Sequence, residues 1–377
     1  MQEKLFEIRQ APVNGGRVRQ ARELKGLTQA LLSDALGVDQ AMVAHIERGT
    51  KQPGEELLDA LSSELQMPVR FFRQGSRPQF PKGSLLFRSK QGIGKRTISQ
   101  AHAHAEVVFE FVMRLSEKAS LIPVRLPNET DPIEAARQVR ELLNVPGGPL
   151  PNLIRAAEKL GVITIPLPDL RDCDAFAVWA GPLQTYPVIG LVIGKANDRT
   201  RMNVAHELGH LILHRNVSSG EQGLEMQAYR FAAELLMPTQ DMARDLSSER
   251  LTLFRLATLK KSWQVSMQAL ARRARDLEAI SDRQYRYLMQ QMSMKGWRTD
   301  EPNFTPQQVE TPRLIPKLAE VALGLSPSLQ TIANDYCLTT DFIAEVLHAP
   351  AKANPSDSAK LKSRNADVVA FSKKRKN

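Results

Sequence analysis

Residues 199–214, RTRMNVAHELGHLILH, contain a His-Glu-x-x-His motif inside an apolar helical pattern. His206 and His210 are four residues apart, which places both imidazoles on one helix face with about 6 Å of rise between them. Two imidazoles at this spacing can bind one metal ion, and zinc suits such ligands. Glu207 faces the same cleft, where it can act as a general base toward water. The motif predicts a zinc-dependent hydrolytic site.

A catalytic zinc site needs a third protein ligand, and the next predicted helix, residues 221–237, offers glutamates. We prefer Glu225, because an apolar face follows it along that helix and lets it approach the motif helix closely. Glu234 is the second choice. His214 is a poor candidate because it lies about 12 Å along the helix from His206. We expect it to be a hydrogen-bonded or surface histidine.

Three short apolar runs precede the motif, at residues 162–165, 175–180 and 188–193. Their β-branched and aromatic residues, bounded by Pro, Gly and Asp, predict three strands. We expect the last to be an edge strand that can hold an extended substrate by strand addition. Helical patterns surround these runs, at residues 99–118, 131–143, 153–160, 199–214, 221–237 and, in pieces, 240–294. The fold class is therefore α+β, with a zincin-like domain built on a small sheet and the motif helix.

Four short helical patterns lie near the N-terminus, at residues 17–25, 29–36, 40–48 and 55–65, separated by glycines. Three short helices joined by tight turns can present the third to the major groove of DNA. Gln40 can bind adenine through two hydrogen bonds, and Ala41 or Met42 can touch a thymine methyl. An all-α bundle that binds protein is the alternative. The predicted DNA contacts are Arg17, Thr28, Gln29, Gln40, Ala41, Met42 and His45.

The formal net charge of +10 is unevenly distributed along the chain. Residues 77–100 carry six basic and no acidic residues, and residues 351–377 carry eight basic and two acidic ones. Both stretches can bind phosphates non-specifically, or they are solvated segments without a partner. Charge alone therefore supports binding to nucleic acid without proving it.

The composition indicates a cytoplasmic, nucleoid-associated protein. The two cysteines are too few for a disulfide framework. No apolar run approaches the roughly 18 residues of a membrane span, and the first ten residues lack the apolar core of a secretory signal. We expect no membrane partner.

The patterns predict five segments and no internal repeat. A helix-turn-helix domain at 10–73 is followed by a basic linker at 74–98 and a zinc peptidase domain with helical extensions at 99–302. A small helical region at 303–349 and a basic, disordered tail at 350–377 complete the chain.

Two parts of the sequence resemble known families. Residues 27–53, with Leu27-Thr28-Gln29, Gly37-Val38 and Ile46-Glu47, resemble the Cro and XRE repressor-type helix-turn-helix. Residues 199–214 and 225–238 resemble the ImmA/IrrE family of metallopeptidases, as do 174–179 and 263–270, so that the likeness extends over 153–302. This second resemblance implies zinc held by His206, His210 and Glu225, with Glu207 as the catalytic base.

The predicted function is a DNA-binding transcriptional regulator, expected to be a homodimer on a double-stranded DNA operator. Its zinc-dependent endopeptidase domain is expected to cleave a repressor-type protein, or this chain in its own linker, in response to stress, phage or mobile-element signals. The alternative is a non-proteolytic repressor or antitoxin-like DNA-binding protein whose zinc domain serves sensing or dimerisation. A zinc enzyme without DNA binding is a third hypothesis.

Overall fold

The computed structural model describes residues 11–75, 79–81, 94–170, 173–215, 223–247, 250–298, 301–302, 309–324 and 327–348. These residues form a mostly helical protein with one three-stranded sheet, which confirms the predicted α+β class. The predicted tail at 350–377 and most of the basic linker lie outside them. None of the described helices combines the length and apolar character needed to cross a membrane.

The structure describes five short helices between residues 15 and 72. Gly37 ends the second in the left-handed region, with φ 64°, and turns the chain sharply into the third. Apolar residues from all five meet in one core, and the predicted helix-turn-helix is confirmed. The helices are α1 Gly15–Leu24, α2 Gln29–Leu36, α3 Gln40–Glu47, α4 Glu55–Leu65 and α5 Val69–Phe72.

Among the described residues, three helices lead from there to the sheet. The longest of them was predicted to begin at residue 99, but it begins at Lys95. Gly94 is its N-cap, and the polar residues that follow form its first turn. Its buried face, which includes Phe109 and Val112, packs on the sheet and on α1. The helices are α6 Lys95–Ser116, α7 Pro132–Leu142 and α8 Leu153–Lys159.

The sheet contains β1 Ile163–Leu167, β2 Ala175–Ala180 and β3 Tyr186–Val192 in the order β1-β3-β2. β1 is parallel and β2 antiparallel to β3. β3 is therefore the central strand, and the prediction that it is an edge strand open to a substrate was wrong. Alternation along a strand shows only which side chains share a face, whereas strand order depends on tertiary packing.

Both faces of the sheet are covered. Phe176 and Val178 belong to the apolar core that contains α6, whereas Ala177 and Trp179 belong to the core on the other face. This alternation is the period of two expected of a strand buried between two layers. The sheet is thus the middle layer of the fold.

The layer opposite α6 contains α9 Asn197–Leu213 and α10 Leu224–Leu236. The two helices approach each other closely at Gly209. A Cβ atom on this glycine would lie 3.0 Å from Cδ1 of Phe231 and 3.2 Å from Cα of Ala228. Glycine is needed here because the backbone of α10 occupies the space of a side chain.

Seven further helices complete the described chain. Those that follow α10 extend its layer, and the last three pack on α6 and β1 through a core that is shared with the N-terminal helices. They are α11 Thr239–Ser247, α12 Leu253–Trp263, α13 Met267–Asp276, α14 Asp282–Met294, α15 Leu314–Leu323, α16 Leu329–Tyr336 and α17 Thr340–His348.

The turn between α2 and α3 recurs between α16 and α17, although the sequence showed no repeat. Gly37, with φ 64°, and Cys337, with φ 57°, are both left-handed residues that end an eight-residue helix. The next residue in each case donates its N–H back to the helix, Val38 to Ser33 at 3.1 Å and Leu338 to Ala333 at 2.9 Å. The two units share apolar positions and backbone geometry rather than residue identities, which explains why the repeat was missed.

Polar contacts tie the segments together across the predicted domain boundaries. Arg17 of α1 forms two hydrogen bonds with Glu110 of α6, at 2.5 and 2.6 Å. Further along the chain, before α15, Glu310 pairs with Arg201 of α9 and accepts the backbone N–H of Leu153 at 2.7 Å. The domain boundaries remain predictions. The segments on either side of them are in direct contact.

The close approach at Gly209 predicts a local requirement for glycine. Gly209→Val should lower the free energy of unfolding by roughly 1–3 kcal/mol, because the added methyl groups meet the backbone of α10. Urea denaturation measures the change. Gly75→Val is the matched control, since a Cβ there meets nothing within 4 Å, and equal losses in both variants would contradict the packing argument.

Candidate metal centre

The two motif histidines lie one turn apart on α9. Their Nε2 atoms are 3.2 Å from each other, and the ring planes meet at 77°. His210 is buried, and the His206 side chain is 18% exposed. Both rings therefore direct the same nitrogen toward one point at the surface of the helix.

Glu225, in the first turn of α10, completes the group. Its Oε2 lies 3.3 Å from Nε2 of His206, and its Oε1 lies 3.4 Å from Nε2 of His210. The imidazoles of His206 and His210 hold the pKa of this carboxyl well below its usual range. Glu225 is consequently an anion that can donate electron pairs to a cation.

The spacing of these atoms fits a metal ion. Ligand atoms about 2.0–2.2 Å from a tetrahedral zinc lie roughly 3.4 Å from one another. The separations of the nearest donor atoms, 3.2, 3.3 and 3.4 Å, are close to this value, with Oε2 of Glu225 facing His206 and Oε1 facing His210. Among the described residues, His206, His210 and Glu225 form the one group of at least three such donors able to share an ion.

Glu234, the second choice for the third ligand, lies elsewhere. It is buried, pairs with Arg273 of α13, and accepts hydrogen bonds from N and Oγ1 of Thr239 at 3.1 and 2.6 Å. Nine residues after Glu225, it is rotated by about half a turn from that residue around α10. Its carboxylate therefore faces α13 rather than the histidines.

Glu207, the predicted base, is 1% exposed on α9, next to His206. One residue of helix separates the two side chains by about 100° around the axis. The structure thus keeps this carboxylate out of bulk solvent, one residue along α9 from the first motif histidine.

His214, expected to be a hydrogen-bonded or surface histidine, contacts the ligand group. Its Nδ1 lies 2.9 Å from Nδ1 of His210, and its Nε2 lies 3.0 Å from Oε1 of Gln227. Burial is the main cause that lowers the pKa of His214. The four-residue spacing from His210 is the sequence signal that could have identified this contact.

A groove of about 600 Å³ runs beside the C-terminal half of α9. Trp179 of β2 forms part of its wall and donates from Nε1 to the backbone oxygen of Leu211 at 2.9 Å. Arg215 covers the ring of Trp179, 4.0 Å from its centroid. The groove offers both apolar and charged surface close to the motif helix.

Most of the predicted DNA contacts are exposed or half-buried, and one is buried. Gln40, Ala41 and His45 are exposed on α3, and Met42 is half-buried. Thr28 is exposed and caps α2 by accepting the Leu31 N–H at 3.1 Å, whereas Gln29 donates to Glu47 at 2.7 Å.

Arg17 does not belong with the exposed set. It is 1% exposed, and its guanidinium is held by Glu110, so it cannot reach a phosphate in this structure. The sequence pattern missed this because the partner lies on a distant helix. Arg48 and Lys51, which follow α3 and are exposed, are cations that the helical pattern could have drawn attention to.

Comparison with known proteins agrees with this arrangement. Residues 157–275 match the peptidase M78 family, described as an IrrE N-terminal-like domain, and residues 18–72 match the helix-turn-helix family. The chain is similar to the transcriptional regulator ClgR of Mycobacterium tuberculosis, in the strains CDC 1551 / Oshkosh and ATCC 25618 / H37Rv. In each case the two are 31% identical over 104 residues, which are 28% of this chain and 92% of the relative. The chain therefore belongs to the helix-turn-helix regulators and carries, in the same polypeptide, an IrrE N-terminal-like domain of peptidase family M78.

Proposed function

We propose that this regulator is a zinc-dependent endopeptidase that acts at a DNA operator. The observation that carries the proposal is the convergence of His206, His210 and Glu225 beside the buried Glu207. Two imidazoles and a carboxylate suit zinc and leave a coordination position for a reactant.

His206, His210 and Glu225 hold the zinc ion in this proposal. When bound, zinc supplies Lewis acidity that makes water a better nucleophile and polarises a peptide carbonyl. Glu207 accepts a proton from the attacking water as its oxygen bonds to the carbonyl carbon. It then gives that proton to the amine nitrogen as the carbon–nitrogen bond breaks. The peptide is thus split into a carboxylic acid and an amine, and Glu207 is returned to its starting state.

The DNA-binding half uses α3 as the recognition helix. Gln40 and His45 stand outward from it, and Arg48 and Lys51 supply positive charge beyond its end. The similarity to a protein named as a transcriptional regulator supports this assignment. We propose double-stranded DNA as the partner, a homodimer as the bound form, and the cytoplasmic nucleoid as the place of action.

The substrate that we propose is a repressor-type protein or the chain's own linker, near residues 77–94. The groove beside α9 gives room for a peptide side chain. Cleavage between a DNA-binding segment and its partner domain would relieve repression, which links the two activities in one polypeptide.

A second candidate function is a non-proteolytic repressor whose zinc domain senses a signal. The ion pair between Arg17 and Glu110, together with the core shared by α1, α6 and the sheet, favours it, because such packing can transmit a change from one half to the other. The two candidate functions differ in whether the protein needs Glu207 as a base, because peptide cleavage requires that base and signal sensing does not.

Glu207→Gln should reduce peptide cleavage by about 10²–10⁴-fold, because the amide cannot accept the proton. Zinc content and DNA binding should be unchanged. Cleavage is measured by mass spectrometry of the zinc-loaded full chain, both on itself and on a mixture of synthetic peptides that spans residues 70–100.

His206→Ala is the companion variant, since it should lose zinc and cleavage together. Equal cleavage by the wild type and Glu207→Gln would remove Glu207 from its role as base. If the zinc-loaded wild type cleaves neither its own chain nor the peptides, the proteolytic proposal for the linker fails and the sensing candidate is favoured.

The repeated turn supplies a matched control for DNA binding. Gln40→Ala should weaken binding by roughly 1–3 kcal/mol, as expected on loss of a base contact. Thr340→Ala, at the equivalent position of α17, should have no such effect, because Asp341 and Glu345 are exposed on that helix and repel phosphates.

The DNA for this test is selected from a random library by the wild-type protein, and affinities are compared at one salt concentration. A loss on Thr340→Ala as large as that on Gln40→Ala would show that α3 is not the specific reader.

A further inference from the structure

His210 has contacts at both ring nitrogens. Its Nε2 belongs to the ligand group, 3.4 Å from Glu225, and its Nδ1 faces Nδ1 of His214 at 2.9 Å. His214 in turn places its Nε2 3.0 Å from Oε1 of Gln227. The three side chains form a continuous row that leads away from the ligand group.

Hydrogen bonding allows only one assignment of protons along this row once Nε2 of His210 binds a metal. That nitrogen then carries no hydrogen, so Nδ1 carries it and donates to Nδ1 of His214. His214, having accepted at Nδ1, is protonated at Nε2 and donates to the Gln227 amide oxygen. Every group along the row has a partner with the complementary role.

The row also joins α9 to α10, the two helices that carry the ligand group. His210 and His214 lie on α9 or at its end, and Gln227 lies two residues after Glu225 in the first turn of α10. His214 is 9% exposed, so its hydrogen bonds compete little with water. A contact here restrains both the ring of His210 and the start of the helix that carries the carboxylate.

We propose that His214, oriented by Gln227, is a positioning residue that fixes the tautomer and ring orientation of His210 for metal binding. This inference rests on the proposed zinc site. Groups that orient a ligating histidine in this way typically raise metal affinity by about 10–100-fold. Here an imidazole performs the task for which a carboxylate or backbone carbonyl is more usual.

The test measures zinc affinity of the full chain by competition with a chromophoric chelator. His214→Leu should weaken zinc binding by about 10–100-fold. His214→Asn should restore part of it, because its side-chain oxygen can accept from Nδ1 of His210. Gln227→Leu should cause a smaller loss, and Gln227→Glu, which keeps an acceptor, should retain the wild-type affinity.

His102→Leu is the control. This histidine donates from Nε2 to the backbone oxygen of Phe80, 2.8 Å away, on the other side of the sheet, and its loss should leave zinc affinity unchanged. Equal affinity of the wild type and His214→Leu would overturn the inference while leaving the zinc site intact. A wild type that binds no zinc would instead overturn the proposed function.

A second measurement does not depend on any variant folding. Nitrogen-15 NMR of the zinc-loaded wild type should show His210 bound through Nε2 and protonated at Nδ1, and His214 protonated at Nε2. Zinc bound through Nδ1 of His210, or His214 protonated at Nδ1, would contradict the row of hydrogen bonds.

Discussion

The contact of Gly209 on α9 with Ala228 on α10 sets the distance between the two helices on which the candidate metal centre depends. A Cβ at residue 209 would lie 3.2 Å from both Cα and the backbone oxygen of Ala228. At this separation Glu225, in the first turn of α10, lies 3.3 and 3.4 Å from the two Nε2 atoms of the motif. The buried sheet stabilises the arrangement from behind, since β2 and β3 both pack on α9. A site of this kind is formed by rigid elements, which is the condition for precise ligand geometry.

The same packing connects the site to the DNA-binding helices. The apolar side chains on one sheet face join those of α6 and of α1 to α5 in one core, and the ligand helix covers the other face. Arg17 strengthens the connection, because a buried guanidinium without Glu110 would be left with an uncompensated charge. These contacts join the helix-turn-helix segment to the sheet, whose other face carries the candidate metal centre.

Much of this arrangement could be predicted from local sequence. The periodic patterns located the three strands and the motif helix, because burial on one face imposes a period on the sequence. Glu225 was preferred over Glu234 from the apolar face that follows it, and the structure places Glu225 beside the histidines. The recognition helix and its exposed Gln40 followed from the spacing of Val43 and Ile46, which are buried.

The remaining features depend on contacts between distant parts of the chain. The central position of β3, the burial of Arg17 against Glu110 and the repeated turn at Cys337 leave no periodic signal. His214 was judged by its distance along the helix, which argues against a role as ligand but does not reveal a partner of His210. Tertiary neighbours decide such roles, and a single sequence does not name them.

The most direct test of the central claim is the zinc content of the purified protein, measured by elemental mass spectrometry for the wild type, Glu225→Gln and Glu234→Gln. We expect one zinc ion per wild-type chain, a large loss in Glu225→Gln, and retention in folded Glu234→Gln, whose carboxylate pairs with Arg273. A wild-type chain that neither contains zinc nor takes it up, or a Glu225→Gln variant that keeps its full complement, would contradict this claim.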